Sequence, residues 1–157
     1  MKIWRIAAET RNYAAADLSG AGAAKSPGRW NKEGEPVVYA AQSIALAVLE
    51  TAAHIDSAGL PLNRFVVEIN IPDKIWAARI TLTEAQLPAT WAATPGGQAS
   101  IDVGSRWLSS AKSALLLLPS VIVPEEMVVL LNPKHPESQN ITATVIRRFE
   151  YDRLFRD

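Results

Sequence analysis

The stretch "PVVYAAQSIALAVLETAAHID", residues 36–56, decides the fold. Its first six residues read as a strand, with Val37, Tyr39 and Ala41 facing one way and Val38 and Ala40 the other. Ser43 then suits a helix N-cap, because its side chain can accept from the free amides of a first turn. The helix it opens is expected to run to about Asp56. Residues 44–55 are apolar almost all round, which marks a helix covered on most sides. Within it stands one acid, Glu50.

Working outward, "RFVVEINI" (64–71) is the cleanest strand. Phe65, Val67, Ile69 and Ile71 alternate with Val66, Glu68 and Asn70, and Pro72 closes the run. Residues 1–6 alternate weakly and suggest a first strand carrying Arg5. "DVGSRWLSSAK" (102–112) reads as a short helix with Trp107 and Leu108 inward. "ALLLLPSVIVP" (114–124), "MVVLLN" (127–132) and "ITATVIRRFEYD" (141–152) read as three further strands. Residues 14–36, rich in Ala, Gly, Ser and Pro, suit a long loop, and long loops inside compact domains are often functional. The order predicts an α+β fold of mainly antiparallel strands with flanking helices.

The chain of 157 residues has the length of one domain, and no linker or repeat divides 1–157. Hydrophobic residues make up 48% and charged residues 20%, an ordinary globular balance. The 16 basic and 16 acidic residues cancel, which argues against a main task of coating nucleic acid or an anionic membrane and leaves room only for a local basic patch. With no cysteine there is neither a disulfide scaffold nor a thiolate metal site, and a cytoplasmic location is expected. His54 and His135 are too few for a histidine metal site, so no metal is assigned. The N-terminus lacks the apolar core of a signal peptide. The longest apolar run, residues 114–123, is too short to span a bilayer and contains Pro119.

Glu50 is the most informative position. A carboxylate in a covered helix loses hydration worth on the order of several kcal/mol unless something compensates. An ion pair to Arg5 or Arg29 would do so, as would a helix rotated to bring Glu50 to solvent, or a place at the edge of a dry pocket where an acid acts on a ligand. His54, four residues on, shares its helix face and is within reach of a hydrogen bond. Arg29 follows Gly28 and precedes Trp30. Its planar fork suits phosphate, and a bare surface arginine or one stacked on Trp30 is the plainer alternative. Tyr39 is a core aromatic or a ligand platform. Ser120 follows Pro119 in an apolar run, where its hydroxyl needs a partner; it lacks the G-x-S-x-G setting of a hydrolase nucleophile. His135 lies in the turn "NPKHP" and reads as structural.

Taken in order, "WR" (4–5), "GRWN" (28–31), "VVYAA" (37–41), "ALAVLE" (45–50), "LLLLPSVIVPEE" (115–126) and "LLNPKHP" (130–136) closely resemble the RES domain. That family is named for an arginine, a glutamate and a serine, here Arg29, Glu50 and Ser120. The resemblance runs from near residue 4 to the final "FEYDRLF". It implies a fold like that of diphtheria-toxin-type ADP-ribosyltransferases and a toxin of a type II toxin–antitoxin pair, with NAD+ as substrate. The implied reaction is hydrolysis or phosphorolysis of NAD+, or transfer of ADP-ribose to a protein. Arg29, Tyr39, Glu50 and Ser120 would line the NAD+ pocket, with Arg5 as a fifth member. The partner implied is an Xre-type antitoxin that blocks the active site, and a homodimer is compatible with the same resemblance. After "PEE", Met127 and Val128 stand where an asparagine is common, a departure that touches a secondary contact. The rival from another class is a non-catalytic module that binds an antitoxin or a nucleotide.

Overall fold

A computed structural model describes residues 1–155 of the chain. Seven strands, β1 (Lys2–Ala8), β2 (Val38–Ala41), β3 (Arg64–Asn70), β4 (Ile80–Thr81), β5 (Leu115–Pro119), β6 (Met127–Leu131) and β7 (Thr142–Phe149), form one sheet in the order β4-β5-β6-β2-β1-β3-β7. Only the β4–β5 pair is parallel. Four helices, α1 (Ala21–Lys25), α2 (Ile44–Ala52), α3 (Asp73–Ala77) and α4 (Gln98–Ser110), flank it. The expected α+β class with mainly antiparallel pairing is the one observed.

Strand alternation divides the core into two layers. Ile6, Val37, Ala41, Val66, Leu116, Leu118 and Leu130 point to one face, where they meet Leu46 and Ala47 of α2 and the indoles of Trp30, Trp91 and Trp107. Ile3, Ala7, Val38, Ala40, Val67, Ile69, Leu115, Leu117, Val129 and Leu131 fill the other face with Ala15 and Ile75. Strands buried on both faces read as nearly continuous apolar runs, which is why β5 and β6 show no polar alternation. β3 keeps its polar side by pairing Glu68 with Lys2, Oε2 to Nζ at 3.1 Å. β1 and β2 meet in register at a single pair, Trp4 with Ala41.

Several boundaries differ from the sequence reading for local physical reasons. The Ser43 cap is present, accepting from Leu46 N–H at 3.1 Å, yet α2 ends at Ala52. Tight turns close the chain beyond it, His54 N–H donating to Thr51 O and Ile55 N–H to Ala52 O. Nor is α2 covered on most sides, since Leu49 is 39% exposed. Ala45, Val48, Leu49 and Ala52 form one wall of an open apolar groove of about 330 Å³ whose other wall is Phe149 and Leu154. The helix expected over residues 102–112 begins earlier, at Gln98. The apolar run at 114–124 stops being a strand at Pro119, where Ser120 N–H donates to Glu126 O and Glu126 N–H to Val123 O to close a turn. That turn is what brings Ser120 out of the sheet.

Candidate active site

Ser120 and Glu50 are seventy residues apart in sequence and in direct contact. A serine hydroxyl has one donor and two acceptor positions. The two acceptor positions of Ser120 Oγ are taken by the N–H groups of Ile122 and Val123, at 3.0 Å each. Its O–H is thereby aimed at Glu50 Oε1, 2.5 Å away. This is the short end of charge-assisted hydrogen bonds, the kind that fixes geometry most firmly. Ser120 is buried and Glu50 half-buried. Glu50 Oε2 has no hydrogen-bond partner among the described residues and is the free edge of the carboxylate. With its hydroxyl fully committed, Ser120 orients the acid and is not a nucleophile in waiting. Replacing Ser120 by alanine orphans two amides and releases Glu50. The expected cost is about 1–3 kcal/mol, read as a fall in melting temperature of several degrees.

The second group gathers around Tyr39 on β2. Its hydroxyl donates to Asn31 Oδ1 at 2.8 Å and accepts from Trp30 N–H at 3.0 Å. Burial raises the phenol well above its ordinary range, with the Trp30 amide acting in the opposite sense, so the hydroxyl stays protonated and keeps donating. Gly28 is required here because a Cβ would lie 2.7 Å from the end of the Tyr39 ring. On the next residue, Arg29 Nη1 donates to Trp91 O at 2.9 Å and to Ala93 O at 2.7 Å. Both hydrogens of Nη1 are used in this way, and the Nη2–Nε edge of the fork makes no hydrogen bond or ion pair among the described residues. Trp30 stacks on Trp91, ring centres 6.5 Å apart, and its carbonyl lies directly against Gly104 of α4.

Both groups hang on one face of the sheet. Trp30, Tyr39, the buried side of α2 and Val121 and Val123 of the Ser120 turn belong to a single core layer. Of the plainer readings of Glu50, the ion pair does not hold, since among the described residues it pairs with neither Arg5 nor Arg29, whereas its half-buried place on α2 leaves part of the side chain at solvent. His54 is exposed beyond the end of α2 and makes no hydrogen bond to the acid. His135 is structural, its Nδ1 accepting from Glu137 N–H at 3.2 Å.

Arg5 is not joined to the other four. It shares its face of β1 with Ile3 and Ala7, so strand pleating turns it to the layer opposite Tyr39. There its Nη1 donates to Asp17 O at 3.3 Å, while its buried Nε is without a partner. Burial lowers its affinity for the proton, with Asp17 opposing. Asn31 is the residue the structure adds; its only advance signal is its place as the last residue of the "GRWN" block. No group of three acidic, histidine or cysteine side chains among the described residues is arranged to hold a metal, and no helix is long and apolar enough to cross a membrane.

One oriented carboxylate, the buried serine that holds it and an arginine–tyrosine loop thus share one face of a mainly antiparallel sheet, and comparison with known proteins gives the family. Residues 2–152 match the RES domain, and the chain belongs to that family. It is 53% identical over 149 residues to the Prs ADP-ribosylating toxin of Sphingobium sp. (strain YBL2), covering 95% of this chain and 92% of that protein. It is 38% identical over 160 residues to Toxin Res of Pseudomonas putida, covering 99% and 100%. In fold it is similar to the Mycobacterium tuberculosis MbcT–MbcA toxin–antitoxin complex, with a TM-score of 0.68 at 16% identity over 93% of this chain and 84% of that one. The fold expected from the sequence resemblance is therefore the fold observed.

Proposed function

We propose that the chain is the toxin of a toxin–antitoxin pair and cleaves the bond between nicotinamide and ribose in NAD+. The observation that carries this reading is the Ser120–Glu50 contact, which aims one carboxylate edge and leaves the other free. Breaking the C1′–N bond sends the bonding electron pair to the departing nicotinamide and leaves positive charge on the ribose ring. A fixed carboxylate beside that sugar stabilises the charge as it forms. Nicotinamide leaves from a cationic state and needs no general acid, so one acid suffices. Glu50 Oε2 is the edge that faces the sugar. The free Nη2–Nε fork of Arg29 takes the pyrophosphate. Tyr39, its hydroxyl held by the loop, offers a ring face to the nicotinamide. Arg5 is left out of the minimal set because of the face it occupies.

The cation left on C1′ is attacked by water, by phosphate or by a side chain of a target protein. The name of the Sphingobium relative favours the last, with Prs as the target. NAD+ labelled in its adenylate half separates the three. Label in free ADP-ribose means hydrolysis, label in its phosphate ester means phosphorolysis, and label retained on added Prs means transfer. Label remaining in NAD+ under all three conditions contradicts the proposal. The partner proposed is an Xre-type antitoxin that covers the site in the cytoplasm, where its excess should suppress turnover. Full activity in the presence of excess antitoxin would count against direct blocking.

A further inference from the structure

Asn31 lies wholly buried between the arginine loop and β2. Its Oδ1 accepts from Gly28 N–H and from the Tyr39 hydroxyl, both at 2.8 Å. Its Nδ2 shares two hydrogens over three carbonyls, those of Ala23 at 2.9 Å, Glu35 at 3.0 Å and Lys32 at 3.3 Å. Asn31 is thus saturated on both sides, as a buried amide must be. Glu35 is anchored in turn, its Oε2 accepting from Lys32 N–H at 3.0 Å and from Ser105 of α4 at 2.7 Å. One continuous hydrogen-bonded path therefore runs from α4 through Glu35 and Asn31 to the Tyr39 hydroxyl.

The geometry points to Asn31 as a positioning residue for the dinucleotide: it fixes the Arg29 loop and the Tyr39 ring relative to each other, so that one ligand meets both. This inference rests on the reaction proposed for Arg29, Tyr39 and Glu50. Asn31 touches neither the reacting atoms nor Glu50, so it acts on how the ligand is held. Its removal has a particular consequence at Tyr39. The hydroxyl loses the acceptor that orients it, and with that orientation goes its hold on Trp30 N–H, an amide Asn31 does not itself touch.

The test combines steady-state kinetics with amide exchange for the full chain, Asn31→Ala, Tyr39→Phe and the double variant. In Asn31→Ala the KM for NAD+ should rise about tenfold, the scale set by losing a buried hydrogen-bond partner, with a smaller fall in kcat. The double variant should fall short of the product of the single effects, because both changes break the same hub. Amide exchange should quicken at Gly28 and at Trp30 while β5 and β6 stay protected. A lowered kcat at unchanged KM, as expected when only the folded fraction falls, overturns the inference. So do independent single effects, or a Trp30 amide that stays protected. A wild-type chain that leaves NAD+ intact overturns the proposed reaction instead, and the exchange result then decides the role of Asn31.

Discussion

Glu50→Gln should lower the rate of nicotinamide release from NAD+ by about 10²–10³-fold without unfolding the protein. Glutamine keeps the shape of the side chain and an oxygen that accepts from Ser120, so the contact across the turn survives. What disappears is the negative charge. In the proposed transition state that charge faces a developing oxocarbenium ion inside a partly dry site, and a single preorganised electrostatic group of this kind is worth factors of this size. Glu50 is half-buried at the end of a helix, so the melting temperature should move by no more than about 2 °C. Measured release together with a thermal melt separates the two effects. Activity within a few-fold of wild type would remove Glu50 from the chemistry.

Gly104→Ala should be the most damaging small substitution in the chain. A Cβ on residue 104 would overlap the carbonyl oxygen of Trp30 and lie 2.7 Å from its carbonyl carbon. Both obstacles are backbone, so no side chain can swing aside. Either α4 withdraws from the sheet or the loop of residues 28–31 moves, and Trp30, Trp107 and Val103 lose packing in the main core layer in the first case. Overpacking of this kind costs about 3 kcal/mol, near the upper end for a single added methyl, or roughly 6–12 °C in melting temperature for a domain of this size. Because the displaced loop carries Arg29 and the anchor of Tyr39, activity should fall beyond what the unfolded fraction accounts for. An unchanged melting temperature would show that α4 does not lie against Trp30 as described.

Much of this arrangement is legible in the sequence, and what is not has identifiable causes. The alternation in residues 64–71 marks β3, and the Ser43 cap marks the start of α2, because both are local signals. The end of α2 was harder. Ala53 and Ile55 continue the apolar pattern of the helix, and only the turns at Thr51 and Ala52 end it. The start of α4 was hidden for the opposite reason, since residues 98–101 carry little apolar periodicity. Ser120 was recognisable as a hydroxyl in need of a partner, but the partner depends on a turn that follows Pro119 and on a helix seventy residues earlier.

Arg5 shows the limit of pattern reading most plainly. Its alternation with Trp4 and Ile6 is visible in the sequence, yet β1 lies inside the sheet between β2 and β3, and both of its faces are covered. Only the register of the folded sheet shows that Arg5 and Tyr39 point to opposite faces. Asn31 is the converse case. It closes the "GRWN" block of a Gly- and Pro-rich loop, and its importance comes from carbonyls and a phenol that tertiary folding delivers to it.

The central claim is tested most directly by incubating the purified chain with excess NAD+ and following free nicotinamide over time. Nicotinamide should appear catalytically, in step with the loss of NAD+ when a competent acceptor is present, and the Glu50→Gln variant should be nearly silent. No nicotinamide above the protein-free control, with water, phosphate and Prs all supplied as acceptors, would contradict it.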